Sequence, residues 1–535
     1  MRVMCIVKSA AVWYDIVTQG KEHICRRYQS GNTGENAMKK IRFLAALLAA
    51  LTLALSACGG TQGTKDGDTT DAATPADNTD DTDTTPAETD RSQVKDNLPE
   101  KDYGGDTFTV LYRDEWAYEF IADEENGDIL NDAIYRRNRA VENRFNVNFE
   151  FVGLPGTWNS SEYKNAITNS VVAGDSEYDL ITGYQADMVN HAMQGYFMNV
   201  YDMPYINADA PWWSEKSNSA LTVHDKLFMT TGDIAVTLWD NMYVMFFNKK
   251  LAEQYAIPDM YEIVDNHEWT IDKLTELSKN VSSDVDGNSV YDENDLYGFV
   301  TSPTNHMRAW MVAGETPLTK LNDNSEVEVC FITERTINMV DRLKALHKQQ
   351  SSYSKNEVLS EPYSTGEPII FTSDRALFMT GYLGNAKLLR NMNTDFGIIP
   401  YPMFDENQDG YRTTSHNSVS MMCFPVTLRD NEMSGIITEA LCAESYRNVI
   451  PDYYDLVLKT KGARDDQSAE MMDQIRDGLT FDFGWVHSPA MDNIGTILQD
   501  VISGDKDLSS YWASKEKKVD AGLEKINAAY EKAGE

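Results

Sequence analysis

The sequence predicts an α/β protein built as two lobes, and three observations carry that prediction. The chain has 535 residues, well beyond the size at which one hydrophobic core keeps growing, so it must divide into at least two domains or lobes. From Thr107 the apolar pattern reads strand, helix, strand, helix, strand, the alternation of a parallel sheet covered by helices. A second α/β stretch begins near Asn241.

The elements follow in order. Thr107–Tyr112 is rich in β-formers; Ile129, Leu130, Ala133, Ile134, Val141 and Phe145 recur at helical spacing; Val147, Phe149 and Phe151 alternate; a short helix covers Tyr163–Val171; Tyr178–Thr182 is a third strand. Ligands of such sheets gather at the carboxyl ends of strands, here Arg113-Asp114-Glu115-Trp116 and Gly183-Tyr184-Gln185. In the second stretch Tyr243–Phe247 is a dense apolar strand, and Trp269-Thr270 opens a helix through Leu274 and Leu277. Tyr297–Val300 is a further strand leading to Arg308 and Trp310. From Glu432 onward the pattern is almost all helical, ending in a charged helix across Lys515–Lys532. Repeats of roughly twenty to fifty residues are not seen, which argues against solenoids and propellers.

Composition places the chain among ordinary globular proteins, with 42% hydrophobic, 10% aromatic and 24% charged residues. Lys+Arg 47 against Asp+Glu 84 gives a net charge of −37. That field repels phosphate backbones and anionic headgroups, so nucleic acid is not an expected partner.

The N-terminus speaks to location. Met38-Lys39-Lys40-Ile41-Arg42 is a basic start, followed by a short Leu/Ala-rich run from Phe43 to Leu55, which is too short to span a bilayer and fits a secretory signal. Leu55-Ser56-Ala57-Cys58-Gly59 resembles a bacterial lipobox, in which the thiol of Cys58 is lipidated and becomes the new N-terminus. Residues 1–37 are then an upstream over-reading of the frame, and 38–57 the signal peptide. Residues 58–98 form an acidic tether, since 59–98 hold ten Asp/Glu and ten Thr with no aromatic residue and cannot bury enough apolar surface to fold. Loss of residues 1–57, with eight Lys/Arg and three Asp/Glu, leaves a mature charge of −42. Of the six cysteines, Cys330, Cys423 and Cys442 remain in the folded part, without metal-binding spacing, and read as structural.

Five short strings in order look familiar: Lys226-Leu227-Phe228-Met229 before Gly232-Asp233, then Phe247-Asn248-Lys249-Lys250-Leu251, then Trp269-Thr270, then Asp374-Arg375-Ala376-Leu377-Phe378, then Phe396-Gly397-Ile398-Ile399-Pro400-Tyr401-Pro402. Together behind a lipobox they resemble the extracellular solute-binding proteins, family 1, of sugar-type ABC transporters, across roughly Tyr103 to Glu535. The resemblance implies a periplasmic-binding-protein type II-like fold, in which two α/β lobes close on a ligand. It places the chain crossings near Val236–Asn241, Ala376–Thr380 and Ser418–Phe424. Lobe 1 would then comprise 99–238 plus 380–420, and lobe 2 would comprise 239–379 plus 421–535. The segment from Leu458 to Trp485 is similar to a large subgroup whose ligands the resemblance does not name.

Sugar clefts need aromatic faces for the apolar side of pyranose rings, and planar polar groups for the hydroxyls. The candidates at strand ends and crossings are Glu115, Trp116, Tyr184, Gln185, Asp187, Trp239, Asp240, Asn241, Arg308, Trp310 and Tyr382. The family resemblance places an aromatic and an acid that contact sugar after the third strand. For each aromatic taken alone, plain core is the competing reading.

Asp284, Asp286, Asn288, Val290 (through its carbonyl), Asp292 and Asp295 have the spacing of a calcium loop, so a structural Ca²⁺ is expected. Ser289 stands where the sharp turn usually takes Gly, and Asp295 replaces the bidentate Glu. Asp405–Gly410 starts similarly but meets His416 at the twelfth position and reads as a hairpin loop. No GxSxG, HExxH or Walker loop is present, so no catalytic residue and no catalytic cofactor is assigned.

The leading expectation is a non-enzymatic, monomeric, extracytoplasmic protein, anchored to the cell membrane by a lipidated Cys58, that delivers a carbohydrate, an oligosaccharide, to an ABC permease. A surface glycan-degrading lipoprotein enzyme and a structural or sensory surface protein are the alternatives. Acidic pairs among 84 carboxylates arise by chance and cannot separate them.

Overall fold

The computed structural model describes residues 90–532, apart from 159, 305, 355–365 and 461. The over-read segment, the signal peptide, Cys58 and nearly all of the tether therefore lie outside the described residues. Residues 88–535 cluster as one unit, within which two main sheets are separated along the chain. β1 (Asp106–Arg113), β2 (Val147–Leu154) and β3 (Leu180–Tyr184) belong to the first. β4 (Tyr243–Asn248), β5 (Ser282–Ser283) and β6 (Leu296–Val300) belong to the second. β7 (Thr319–Leu321) and β8 (Val327–Val329) pair with each other. β9 (Ser352–Tyr353), β10 (Ala376–Tyr382) and β11 (Phe396–Ile399) join the second sheet, and β12 (Ser420–Cys423) returns to the first.

The first sheet runs β12-β3-β1-β2. β1 lies parallel to β2, from Asp106 opposite Val147 to Arg113 opposite Leu154, and parallel to β3 through Val110 and Leu111. Phe108, Val110 and Leu111 are buried in its core. The connecting helix Ile129–Phe145 starts where the Asp128 side chain accepts from the Asn131 amide, and it stops at Asn146, whose φ is +49°. The third strand begins two residues later than its apolar pattern, since Tyr178 is buried ahead of β3.

The second sheet runs β11-β4-β10-β6-β5, with β9 beside β6. Every residue of β4 is buried, as its unbroken apolar run requires of a central strand. Gly298 in β6 is needed for close approach, because a Cβ there would meet the Ser278 carbonyl oxygen of the helix Ile271–Ser278 at 2.1 Å.

Three stretches of chain pass between the sheets. The first leaves Thr230, which bridges Met422, and reaches β4 through the short helix Thr237–Asp240. The second returns from β11 to β12 through 413–418, where Ser415 bridges Met242 and the His416 amide donates to the Asn241 carbonyl at 2.9 Å. The third is helical. Asn431–Glu444 packs on Ile129–Phe145, then widens into π-helical turns over Ser445–Val449 and Pro451–Thr460. Asp466–Asp477 then packs on β11. Pro451 has no amide hydrogen and crowds the carbonyl four residues back, which opposes a regular α-turn there.

The expected lobe boundaries need correction. β10 and β11 both lie in the second sheet, against β4, so 380–399 is not part of the first lobe and no passage occurs at Ala376–Thr380. β12 pairs antiparallel with β3, so Ser420–Cys423 and the helix after it belong to the first lobe. The passage expected at Ser418–Phe424 is complete just before it. Asp405–Gly410 forms turns ahead of the second passage, with no paired hairpin around it. Cys330 is half-buried and Cys423 and Cys442 are buried, all as free thiols. Among the described residues no helix is long and apolar enough to cross a membrane.

Candidate functional site

The passages meet at one carboxylate. Asp240, 6% exposed, ends the short helix of the first passage. Its Oδ2 accepts from the Tyr118 hydroxyl at 3.1 Å, and Lys387 Nζ lies 3.1 and 3.0 Å from Oδ1 and Oδ2. The Tyr453 hydroxyl also donates to Oδ1, and Lys387 donates to that hydroxyl at 2.6 Å. Tyr118 follows β1, Lys387 follows β10 and Tyr453 sits in the π-helical third passage. Burial, and then the charge of Asp240, push the Tyr118 and Tyr453 hydroxyls well above the ordinary phenol range. Next to it, Asn241 Nδ2 donates to Ser418 Oγ at 3.0 Å, and His416 Nδ1 lies 2.8 Å from the same oxygen. The first and second passages are thereby joined by side chains as well as backbone.

Around this knot the strand ends supply rings. The Arg113 guanidinium lies 5.6 Å from the Trp116 ring and 5.4 Å from that of Tyr184, and it donates to the Ser418 carbonyl at 2.5 Å. From the second sheet, the Tyr382 ring lies 5.2 Å from Tyr243, 5.0 Å from His306 and 5.4 Å from His416. Arg308 lies 5.0 Å over the Trp485 ring. Trp116, Tyr184, Trp239, Arg308, Tyr382 and His416 each keep part of their surface open, although the residues beside them are buried. Half-open rings and polar groups amid buried neighbours are what the lining of a ligand crevice requires. Surrounding protein pushes both His306 and His416 down to about 3, so both imidazoles are neutral at physiological pH. Trp116 Nε1 and Trp485 Nε1 are buried donors that meet no acceptor.

The structure gathers Trp116, Tyr184, Trp239, Asp240, Asn241, Arg308 and Tyr382 about the passages, and it sends other expected residues elsewhere. Trp310 is a correction: it is fully buried, 5.1 Å from the Tyr401 ring and 6.2 Å from Phe299, and belongs to the core. Arg308 and Trp310 stand two apart on the helix Met307–Ala313, and residues so spaced do not share a face. Gln185 and Asp187 are buried on the helix Gln185–Met193. Asp187 turns toward Lys164 of the neighbouring helix, 3.6 Å away. Glu115 is exposed and accepts from the Gly156 amide, with N–O distances of 3.2 and 3.1 Å, so it fixes the loop after β2. Tyr118, Lys387, Tyr453, His306 and His416 went unrecognised. Tyr118 alone carried a signal, standing one turn beyond the flagged end of β1.

Away from the passages, the acidic loop folds back on itself. One carboxylate oxygen from each of Asp284, Asp286 and Asp295 lies within 4.8 Å of the others. The fully buried Asp295 accepts from the Val285 and Asp292 amides at 2.8 and 2.9 Å. Asn288 Oδ1 accepts from the Val290 amide, and the Tyr297 hydroxyl donates to the Asp292 carbonyl. Ser289 takes φ +65°, the left-handed turn that its position demands.

Comparison with solved structures finds similar chains. One is an ABC substrate-binding protein from Listeria monocytogenes in complex with cycloalternan, at 11% identity and TM-score 0.48, covering 79% of this chain and 98% of that one. Another is the GacH receptor of Streptomyces glaucescens, solved unliganded and with acarbose, at 11% identity and TM-score 0.49, covering 80% and 98%. A third is maltose-bound MalE3 of T. maritima, at 12% identity and TM-score 0.47, covering 79% and 99%. Comparison with curated proteins gives no match. The family described as bacterial extracellular solute-binding protein matches residues 146–436, which is more than half of the chain and includes β2 through β12, the first two passages and Asp240. The chain belongs to the family of bacterial extracellular solute-binding proteins.

Proposed function

We propose that this solute-binding protein takes up a carbohydrate, an oligosaccharide, between its two sheets and hands it to an ABC permease, while a lipid on Cys58 tethers it to the membrane. The observation that carries the reading is the convergence of half-open aromatic rings and fixed polar groups where the three passages meet. Rings offer flat faces to pyranose C–H groups, and neutral imidazoles, hydroxyls and guanidinium groups can be matched to sugar hydroxyls. The protein contributes binding and orientation, and no bond-making step is assigned to it.

We also propose that the 284–295 loop holds a structural Ca²⁺ through Asp284, Asp286, Asn288, Asp292, Asp295 and the Val290 carbonyl. The clustering of three carboxylates and the left-handed turn at Ser289 support it, since a hard cation takes six or more oxygens from such a loop.

Titration calorimetry of residues 99–535 against neutral and acidic oligosaccharides tests the first proposal. Tyr184→Ala and Tyr382→Ala each remove a ring face and are expected to cost about 1–3 kcal/mol of binding, roughly five- to a hundred-fold in affinity, with little change in melting temperature. Trp310→Ala should do the reverse, lowering stability by about 3–5 kcal/mol as a core cavity forms. Ring variants that bind as tightly as the parent contradict the site. For the anchor, Cys58→Ala is expected to abolish lipid incorporation, and a variant that still carries lipid refutes the assignment. For the loop, chelation is expected to lower the melting temperature and Asp284→Ala to remove that response; equal melting with chelator and with excess calcium rules the ion out.

A further inference from the structure

Arg113 and Arg308 stand out among the charged groups of the crevice because neither has a carboxylate partner. Asp240 is matched by Lys387, and Asp187 by Lys164. Asp482, beside Trp485, accepts from the backbone amides of Leu318, Thr319 and Trp485. The charge of Arg113 is supported without a pair by Glu115, which holds the Gly156 amide, and more strongly by Glu119. Its oxygens, however, are taken by the Thr237 amide and hydroxyl and by Ser420 Oγ, and burial pushes it toward the neutral acid. No ion pair within 4 Å forms at either arginine among the described residues. Arg113 is 3% exposed, has the Ser418 carbonyl as its hydrogen-bond acceptor, and leaves Nε with none. Arg308 makes no hydrogen bond among the described residues and rests on the Trp485 ring. A guanidinium held out of water without an anion is costly; Arg113 is one, and the half-exposed Arg308 stands near the same Tyr184 and His416 side chains, in a chain of net charge −37. Both bear on the same groups: burial raises the Tyr184 hydroxyl, which keeps its proton, and each arginine opposes part of that rise, while each adds to the burial that lowers His416.

We infer that the ligand is an acidic carbohydrate whose anionic group, a carboxylate or a sulfate, seats against Arg308 and Arg113 beside Tyr184. The inference rests on the carbohydrate reading above and narrows it. The planar guanidinium forks match both carboxylate and sulfate oxygens, and such charge-assisted pairs are the strong ones. The unaccepted donors at Arg113 Nε and Trp116 Nε1 are suited to the same group. The rings remain for the neutral part of the sugar.

The test is calorimetry of residues 99–535 on three sets of probes: galacturonate oligomers, sulfated chondroitin disaccharides, and the neutral galacto-, malto- and cello-oligosaccharides of matched length. The expected result is that one acidic set binds about tenfold or more tighter than its neutral counterpart. Which acidic set it is distinguishes carboxylate from sulfate. Arg308→Gln should remove that preference. Arg390→Gln, which changes an exposed arginine outside the crevice, should keep it. Neutral sugars binding as tightly as acidic ones, or a preference that survives Arg308→Gln, overturns the inference and leaves the carbohydrate reading standing. Failure of every probe to bind overturns both.

Discussion

The buried carboxylate of Asp240 is the constraint on which the arrangement of the two sheets depends. It stands at the end of the first passage and is held by Tyr118 from the first sheet, Lys387 from the second and Tyr453 from the third passage. A buried charge with all partners in place is tolerable. With one removed it is not, and the penalty for an uncompensated member of such a pair is on the order of 3–5 kcal/mol. Lys387 is 39% exposed, which places the real figure below that range. The consequence is geometric. The rings on both walls of the crevice hold their positions only while the passages do, because Ser418, Asn241 and His416 are bonded across the same junction.

Much of the scaffold was legible because apolar period and element type are local properties. β1, β2, β4 and β6 and the helices beside them follow from alternation, apolar runs and caps in the sequence. The membership of β10 and β11 in the second sheet was not legible, since a short apolar strand does not carry the identity of its neighbours. The partners of Asp240 were hidden for the same reason, lying 122, 147 and 213 residues away. Trp310 is different in kind. Reading Met307–Ala313 as a helix would have put Trp310 on the inner face with Met307 and Met311, and turned Arg308 the other way.

Charge is distributed so that recognition is local. The chain as a whole is strongly acidic, and most of its surface acids either pair with lysines and arginines or stay solvated. Around the passages Asp240 is paired with Lys387, and Glu119 is bonded to Thr237 and Ser420, while Arg113 and Arg308 form no ion pair among the described residues. Neutral His306 and His416 add polar contacts without adding charge.

The most direct test of the central claim, that one solute site lies where the passages meet, is hydrogen–deuterium exchange of residues 99–535 with and without a saturating oligosaccharide. The account predicts protection appearing together in peptides containing Trp116–Tyr118, Tyr184, Trp239–Asn241, His306–Arg308, Tyr382 and His416–Ser418, segments spread over both sheets. Protection confined to one sheet, or falling outside these segments, would contradict it.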